Sequence, residues 1–447
     1  MPRSPHPLTR RELDHLAVPA IISGIAEPVI ALVDMGFVRE LGDASVAAVG
    51  IGSSFFLLVV WVLAQTRSAV LAVVARYYGE QRLSGILGLV PLAIWMNFGL
   101  GLVFFSITNA FSEEIFRLYN ADGEVLRLAV DYFHVRSFGF PFVLATFAMT
   151  GAFRGIQNMR WSMWISIIGA AVNLALNPVL IFGWNDVPAL GVVGSSWSSF
   201  AAQITMFFTA IVVLKLRTPF ELFPRTWRHP ELASLWLLSG NLFARTIALN
   251  ACYYFGARLA TGHGVLHSAA HSAAMNIWLF SAFFIDGYAA AGSVLVGRFS
   301  GERNLKELYR VSWQVVRRSV LIGIILAVIY GISYPWIGGM FTESAGALLL
   351  FNGVFWLVII TQPINAVAFA FDGIFKGFGD GKSLRNVLLI STFGVFLPVA
   401  IVGDHLGWEL HAVWAAFLLW MTCRGLMLSL AFERDYGPRS LRRRRTA

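Results

Sequence analysis

Apolar residues run along this chain in long blocks separated by short polar segments, from one end to the other. Twelve blocks are long enough to cross a hydrocarbon layer about 30 Å thick as helices. They cover 14–38, 46–75, 86–108, 126–153, 161–184, 191–214, 233–257, 267–297, 312–337, 348–375, 385–403 and 408–432. The expected fold class is therefore all-α integral membrane, with twelve transmembrane helices. The first block is not a plain span. Between Leu16 and Val38 it carries Asp34, with Glu27 two turns earlier on the same helical face and prolines at Pro19 and Pro28. A carboxylate at membrane depth is costly unless partnered, protonated or facing water, so its default reading is functional. A charged, kinked first span points to ion-coupled transport.

Composition agrees with the pattern. Of 447 residues 57% are hydrophobic and only 13% charged, against about 25% charged in soluble domains. The formal net charge of +9 raises the question of nucleic acid, but its distribution answers it. With a cytoplasmic N-terminus, and with Arg127 and Arg385 at block edges counted with their adjoining loops, 24 of the 34 lysines and arginines fall in cytoplasmic segments, and Arg39, Arg117, Arg127 and Arg258 fall outside. That is the positive-inside asymmetry, which puts both termini in the cytoplasm. The Arg442–Arg445 cluster then faces anionic lipid rather than DNA. No cleavable signal pattern precedes the first span. Cys252 and Cys423 both fall within spans and suggest packing, not a disulfide framework.

A repeat recurs at a spacing of 222 residues. The stretch beginning Val74-Ala-Arg-Tyr-Tyr-Gly-Glu returns from Val296 as Val-Gly-Arg-Phe-Ser-Gly-Glu, and Gly151-Ala-Phe-Arg-Gly155 returns as Gly373-Ile-Phe-Lys-Gly377. Each repeat holds six spans, an even number, so the two bundles run parallel and are related by an axis along the membrane normal, with a cavity expected between them. The expected division is an N-lobe over 1–215, a cytoplasmic linker over 216–232, a C-lobe over 233–433 and a basic tail over 434–447.

The residues of span 1 ("VPAIISGIAEPVIALVDMGFV"), "RYYGEQ" after span 2, "GAFRGIQN" after span 4, "NLALNP" in span 5 and "FIDGYAAAGSVLVGR" in span 8 resemble the multidrug and toxic compound extrusion (MATE) transporters, in particular their DinF-like branch. The resemblance covers essentially the whole chain. It implies a pair of six-helix bundles that exports organic, often cationic compounds against inward flow of H⁺ or Na⁺. It also implies an N-lobe coupling site at Asp34, Asn173, Asn177 and Ser195. Relatives often carry an aspartate where Asn177 stands, and a lone carboxylate suits H⁺ better than Na⁺. In span 10, Asn365 stands where some branches place an aspartate.

Depth supports that grouping. At about 1.5 Å per residue, Asp34 lies roughly 7 Å, Asn177 roughly 10 Å and Ser195 roughly 6 Å inside the outer ends of their spans. Asn173 and Asn177 share a helical face, and Pro178 cannot donate to the Leu174 carbonyl. Desolvation favours the neutral acid and hydrogen bonds from the two asparagines favour the carboxylate, so their balance sets how Asp34 holds its proton. The expected mechanism has Asp34 gain and lose that proton while span 1 bends at Pro19 or Pro28.

Glu27 is expected to face the cavity and attract cationic substrate, with Arg67 as its alternative partner; Asn365 is assigned to the same cavity. Arg245 in span 7 and Asp286 in span 8 lie at similar depth and are expected to form an ion pair. Asp372, four residues before Lys376, suits a cavity or gating role, and Arg154 and Lys376 suit lipid-headgroup anchoring. His263, His267 and His271 recur every four residues without a nearby carboxylate or thiol in sequence, so interfacial histidines are expected rather than a metal site. "GFGDGKS" at 377–383 is an incomplete phosphate-loop match with no preceding strand. Expected partners are small organic substrates and membrane lipids, with no nucleic acid, no cofactor beyond H⁺ or Na⁺, and a monomeric chain in the inner membrane. A lipid-linked oligosaccharide flippase is the competing transport reading. An intramembrane enzyme finds no supporting motif.

Overall fold

The computed structural model describes residues 10–342 and 344–438, with the side chains of residues 10, 11, 27, 28, 31 and 32 outside that description. The basic cluster at 442–445 also lies outside the described residues. Within them the chain is helical from end to end. In order the helices are α1 (Arg10–Val38), α2 (Asp43–Leu63), α3 (Gln65–Gly79), α4 (Leu89–Ala110), α5 (Ser112–Leu118), α6 (Gly123–Arg136), α7 (Gly139–Gly155) and α8 (Met159–Phe182). There follow α9 (Gly191–Arg217), α10 (Leu232–Gly262), α11 (Val265–Gly301), α12 (Leu305–Ile337), α13 (Ala345–Phe378), α14 (Gly381–Ser391), α15 (Leu397–His405) and α16 (Leu410–Tyr436). A π-helical turn, Thr392–Phe396, joins α14 to α15.

Ten segments among the described residues are long and apolar enough to cross a membrane, and the pair α6 and α7, bent by 46°, makes an eleventh. α1, at 29 residues, has the length for a further crossing. Each of the twelve apolar blocks seen in the sequence falls on one of these segments.

Contacts gather the chain into two compact units, Ile22–Trp236 and Met1–Ile21 with Leu237–Ala447. The first half of α1 thus groups with the C-terminal half of the chain, not with the residues that follow it. Tyr288 donates to Asp14 at 3.0 Å, and Ile21 packs so tightly on Gly287 that a Cβ there would sit 2.1 Å from its Cγ1. The segment 216–232 belongs to the other unit. There Glu231 accepts from Arg76 at 2.7 Å and from Tyr77 at 3.0 Å, and Trp95 donates to the Leu222 carbonyl at 3.0 Å.

The internal repeat has a packing cause. A Cβ on Gly151 would meet the Arg67 carbonyl at 2.6 Å, and one on Gly373 would meet the Ala289 carbonyl at 2.2 Å. Arg67 and Ala289 are themselves 222 residues apart. In each unit the motif glycines therefore let α7 lie directly on α3, and α13 on α11, backbone against backbone. The sequence "GFGDGKS" is used as a helix junction: Gly379 ends α13 at φ +74°, and the Asp380 carboxylate caps α14 by accepting from the Ser383 N–H at 3.0 Å.

At the α10–α11 turn, His263 pairs with Asp404 at 2.6 Å and His267 with Glu409 at 2.9 Å, while His271 is buried against Trp414. The carboxylates absent from the neighbouring sequence arrive from the end of α15 and from the α15–α16 loop, each taking a different histidine. Hydrogen bonding from His267, reinforced by its charge, holds the Glu409 carboxyl below the usual carboxylate range. A depressed folded-state value means a stabilising contribution that is present at neutral pH and lost as acid takes the pH down through that value. Hydrogen exchange at residues 264–268 should therefore quicken on acidification in the native chain, and Glu409→Gln should remove that pH dependence.

Candidate functional site

Asp34 lies one turn from the end of α1 and is 3% exposed. Its carboxylate is held by donors from two other helices. The Asn177 amide on α8 donates to Oδ1 at 2.6 Å, and the Ser199 hydroxyl on α9 donates to Oδ2 at 3.0 Å. Asn177 also donates to the Asn173 carbonyl at 3.3 Å, while its own carbonyl accepts from Ser198. Asn173 in turn donates to Ser198 at 3.3 Å and to Ser199 at 3.2 Å. The i,i+4 spacing puts both asparagines on one face of α8. Gly194 brings α9 close enough to reach them, since a Cβ there would lie 2.2 Å from the Leu180 carbonyl. Pro178 continues α8 directly after Asn177.

The structure thus brings Asp34, Asn173 and Asn177 together and leaves Ser195 out. Ser195 is fully buried, but its hydroxyl has no hydrogen-bond partner among the described residues; only its carbonyl joins the network, accepting from Ser198 at 2.9 Å. The hydroxyls at the carboxylate's level lie a turn deeper, on Ser198 and Ser199. The signal in the sequence was the run Ser195-Ser196-Trp197-Ser198-Ser199, in which Ser199 repeats the face of Ser195. Pro19 is buried in a continuous α1. The side chains of Glu27 and Pro28 lie outside the described residues.

Beside Asp34 is a cavity of about 60 Å³ within the same unit. Its wall is mostly apolar, including Phe56, Leu57, Val60 and Phe147, with Ser53, Arg136, Ser199 and Gln203 as polar members. Arg136, absent from the sequence-derived site, ends α6 at the bend before α7. An arginine inside an apolar block was the available signal.

In the other unit the expected ion pair is re-partnered. Arg245 on α10 binds Asp372 on α13, not Asp286, with Nη2 at 2.6 Å and Nε at 2.9 Å from Oδ1. Lys376 reaches Asp372 Oδ2 at 2.8 Å and Arg424 on α16 approaches Oδ1 at 3.6 Å. Asp372 can serve all three because its side chain is 4% exposed at their meeting point, whereas Asp286 is exposed on α11. Asp372 is therefore a buried counter-charge rather than an open cavity residue, and Lys376 is tied to it rather than anchored to lipid. Asn365, 1% exposed, is likewise buried, with its Oδ1 unpartnered among the described residues.

Two stability measurements on the purified chain test these assignments. Ser199→Ala should lower stability by about 1 kcal/mol by removing a donor from a buried carboxylate, whereas Ser195→Ala should be neutral. Asp372→Asn leaves three cations without their shared anion, and thermal unfolding should show a loss of about 3–5 kcal/mol.

A family model described as MatE matches residues 19–179 and 244–402. Protein DETOXIFICATION 42 of Arabidopsis thaliana is 24% identical over 489 residues, covering 97% of this chain and 93% of that one. DNA damage-inducible protein F of Escherichia coli is 22% identical over 436 residues, covering 95% and 92%. A solved structure described as the outward-facing conformation of a multidrug resistance MATE family transporter superposes with a TM-score of 0.87 at 19% identity, covering 95% of each chain. With a tandem match over most of its length and the twelve-span helical fold of those transporters, the chain belongs to the MATE family of multi-pass membrane transporters, and is not an enzyme.

Proposed function

We propose that the protein is a secondary antiporter that exports lipophilic organic cations in exchange for H⁺, with Asp34 as the proton-carrying group. The observation that carries this reading is a buried carboxylate whose two oxygens each accept a hydrogen bond from a neutral donor, beside a cavity. A proton on Asp34 removes the charge and turns one oxygen into a donor, so whichever of the Asn177 and Ser199 donors faced that oxygen must repoint. That local demand acts on three helices at once, α1, α8 and α9, and α1 carries Pro19 and Pro28 at which to bend.

The same shell speaks against Na⁺. A hard cation needs several oxygen lone pairs facing it, and here the groups nearest the carboxylate are N–H and O–H donors. The Asn177 carbonyl is already taken by Ser198. An inner membrane, cytoplasmic termini and a monomeric chain complete the reading, the orientation of the termini resting on the distribution of basic residues.

The test is efflux of ethidium from proteoliposomes under separately imposed H⁺ and Na⁺ gradients. The native chain should respond to H⁺ alone, and Asp34→Asn, at equal abundance, should fall to the rate of empty liposomes. Full proton-driven efflux by Asp34→Asn, or efflux driven by Na⁺ and not by H⁺, overturns the proposal. A lipid-linked sugar in the same vesicles should not move.

A further inference from the structure

The cavity beside Asp34 contains a second charge. Arg136 is 9% exposed, and its Nε and Nη1 atoms have no hydrogen-bond partner among the described residues. Its guanidinium lies over the Phe56 ring, 4.1 Å from the centroid, which offsets only part of the desolvation of a full charge. Arg136 and Asp34 line the same cavity without touching, and no ion pair joins them among the described residues. Among the described residues, few charges face the guanidinium from the surrounding helices. Asp34 comes from α1, and Tyr132 on α6 has its hydroxyl bonded to Ser53 at 2.9 Å. Arg67 on α3 is stacked over Phe147 at 4.9 Å. The linings from α2, α7 and α9 are neutral.

Charge bookkeeping across this cavity depends on the proton. With Asp34 ionised, Arg136 and Asp34 sum to zero across the gap. With Asp34 protonated, the cavity is left with an uncompensated guanidinium in a wall of low polarity. Such a charge draws in a counter-ion. The cavity of about 60 Å³ has room for about two water molecules, and hence for one small anion with Arg136 as its donor.

We propose that Arg136 forms a proton-gated site for a small monovalent anion, either chloride or the carboxylate of a short organic acid, in the cavity it shares with Asp34. The proposal rests on Asp34 as the proton carrier. Loading the proton and loading the anion are then reciprocally coupled, each favouring the other.

The experiment is equilibrium dialysis of the purified full-length chain against radiolabelled chloride and, separately, radiolabelled formate, at acidic and at alkaline pH, with gluconate as the bulky control. The native chain should bind at least one of the two small anions at acidic pH and lose about tenfold or more in affinity at alkaline pH as the Asp34 charge returns. Competition between chloride and formate tells the halide from the carboxylate. Asp34→Asn should bind at both pH values with the affinity the native chain shows in acid. Arg136→Gln should lose binding at both, and Arg136→Lys should restore it. Absence of anion binding by the native chain, pH-independent binding by it, or unchanged binding in Arg136→Gln overturns the proposal. The pH arm on the native chain needs no variant to fold. Binding is read without a gradient or a drug, so a failure of proton-driven efflux would be seen separately in the ethidium assay.

Discussion

The hydrogen bonds from Asn177 and Ser199 to Asp34 set the terms for the end of the N-terminal unit where α1, α8 and α9 meet. A carboxylate with almost no exposure is tolerated only if its oxygens are met by donors, and each donor recruited has its own unmet atom. The Asn177 carbonyl needs Ser198, the Asn173 amide needs the same pair of serines, and α9 can supply both only by lying against α8 at Gly194. The contact between α8 and α9 thus follows from satisfying one acid. Change the charge on that acid and every link in the chain has a reason to move.

The two units are built by one packing rule and put to different chemical use. Paired glycines seat α7 on α3 and α13 on α11 in the same way. Polar side chains then diverge. Adding 222 to Asn173 and Asn177 gives Val395 and Val399, and the first of these lies in the π-helical turn that interrupts the segment. At the motif helix the divergence runs the other way: Thr150 and Arg154 become Asp372 and Lys376. Arg154 donates to the Ser23 hydroxyl at 3.3 Å, and Lys376 joins a four-member charge cluster. A carboxylate fixed by three cations keeps its charge and ties its helices together; a buried acid held by neutral donors has no such anchor. The proposed proton carrier thus sits in the unit where neutral donors, not fixed charges, meet the buried acid.

Much of this is legible in the amino-acid sequence. Span number followed from block length, the repeat from two matches at one offset, and the asparagine face from a four-residue spacing. What failed did so for physical reasons. Depth counted from a loop end is uncertain by a turn, which is the distance from Ser195 to Ser199. Two acids, Asp286 and Asp372, competed for Arg245, and nothing in the sequence says which helix face meets α10. Arg136 and Arg424 passed unnoticed because each is a single charge in an otherwise apolar block. Residues 1–21 were assigned by chain order, but the side chains of Asp14 and Ile21 meet partners on α11.

Most directly, the claim that Asp34 carries the proton is tested by infrared difference spectroscopy of the purified chain across an acid titration. The account predicts a carboxylic-acid C=O band that grows on acidification, is absent from Asp34→Asn, and shifts in Ser199→Ala. A band that is unchanged in Asp34→Asn, or an Asp34 carboxylate that never protonates across the range in which efflux responds to pH, would contradict it.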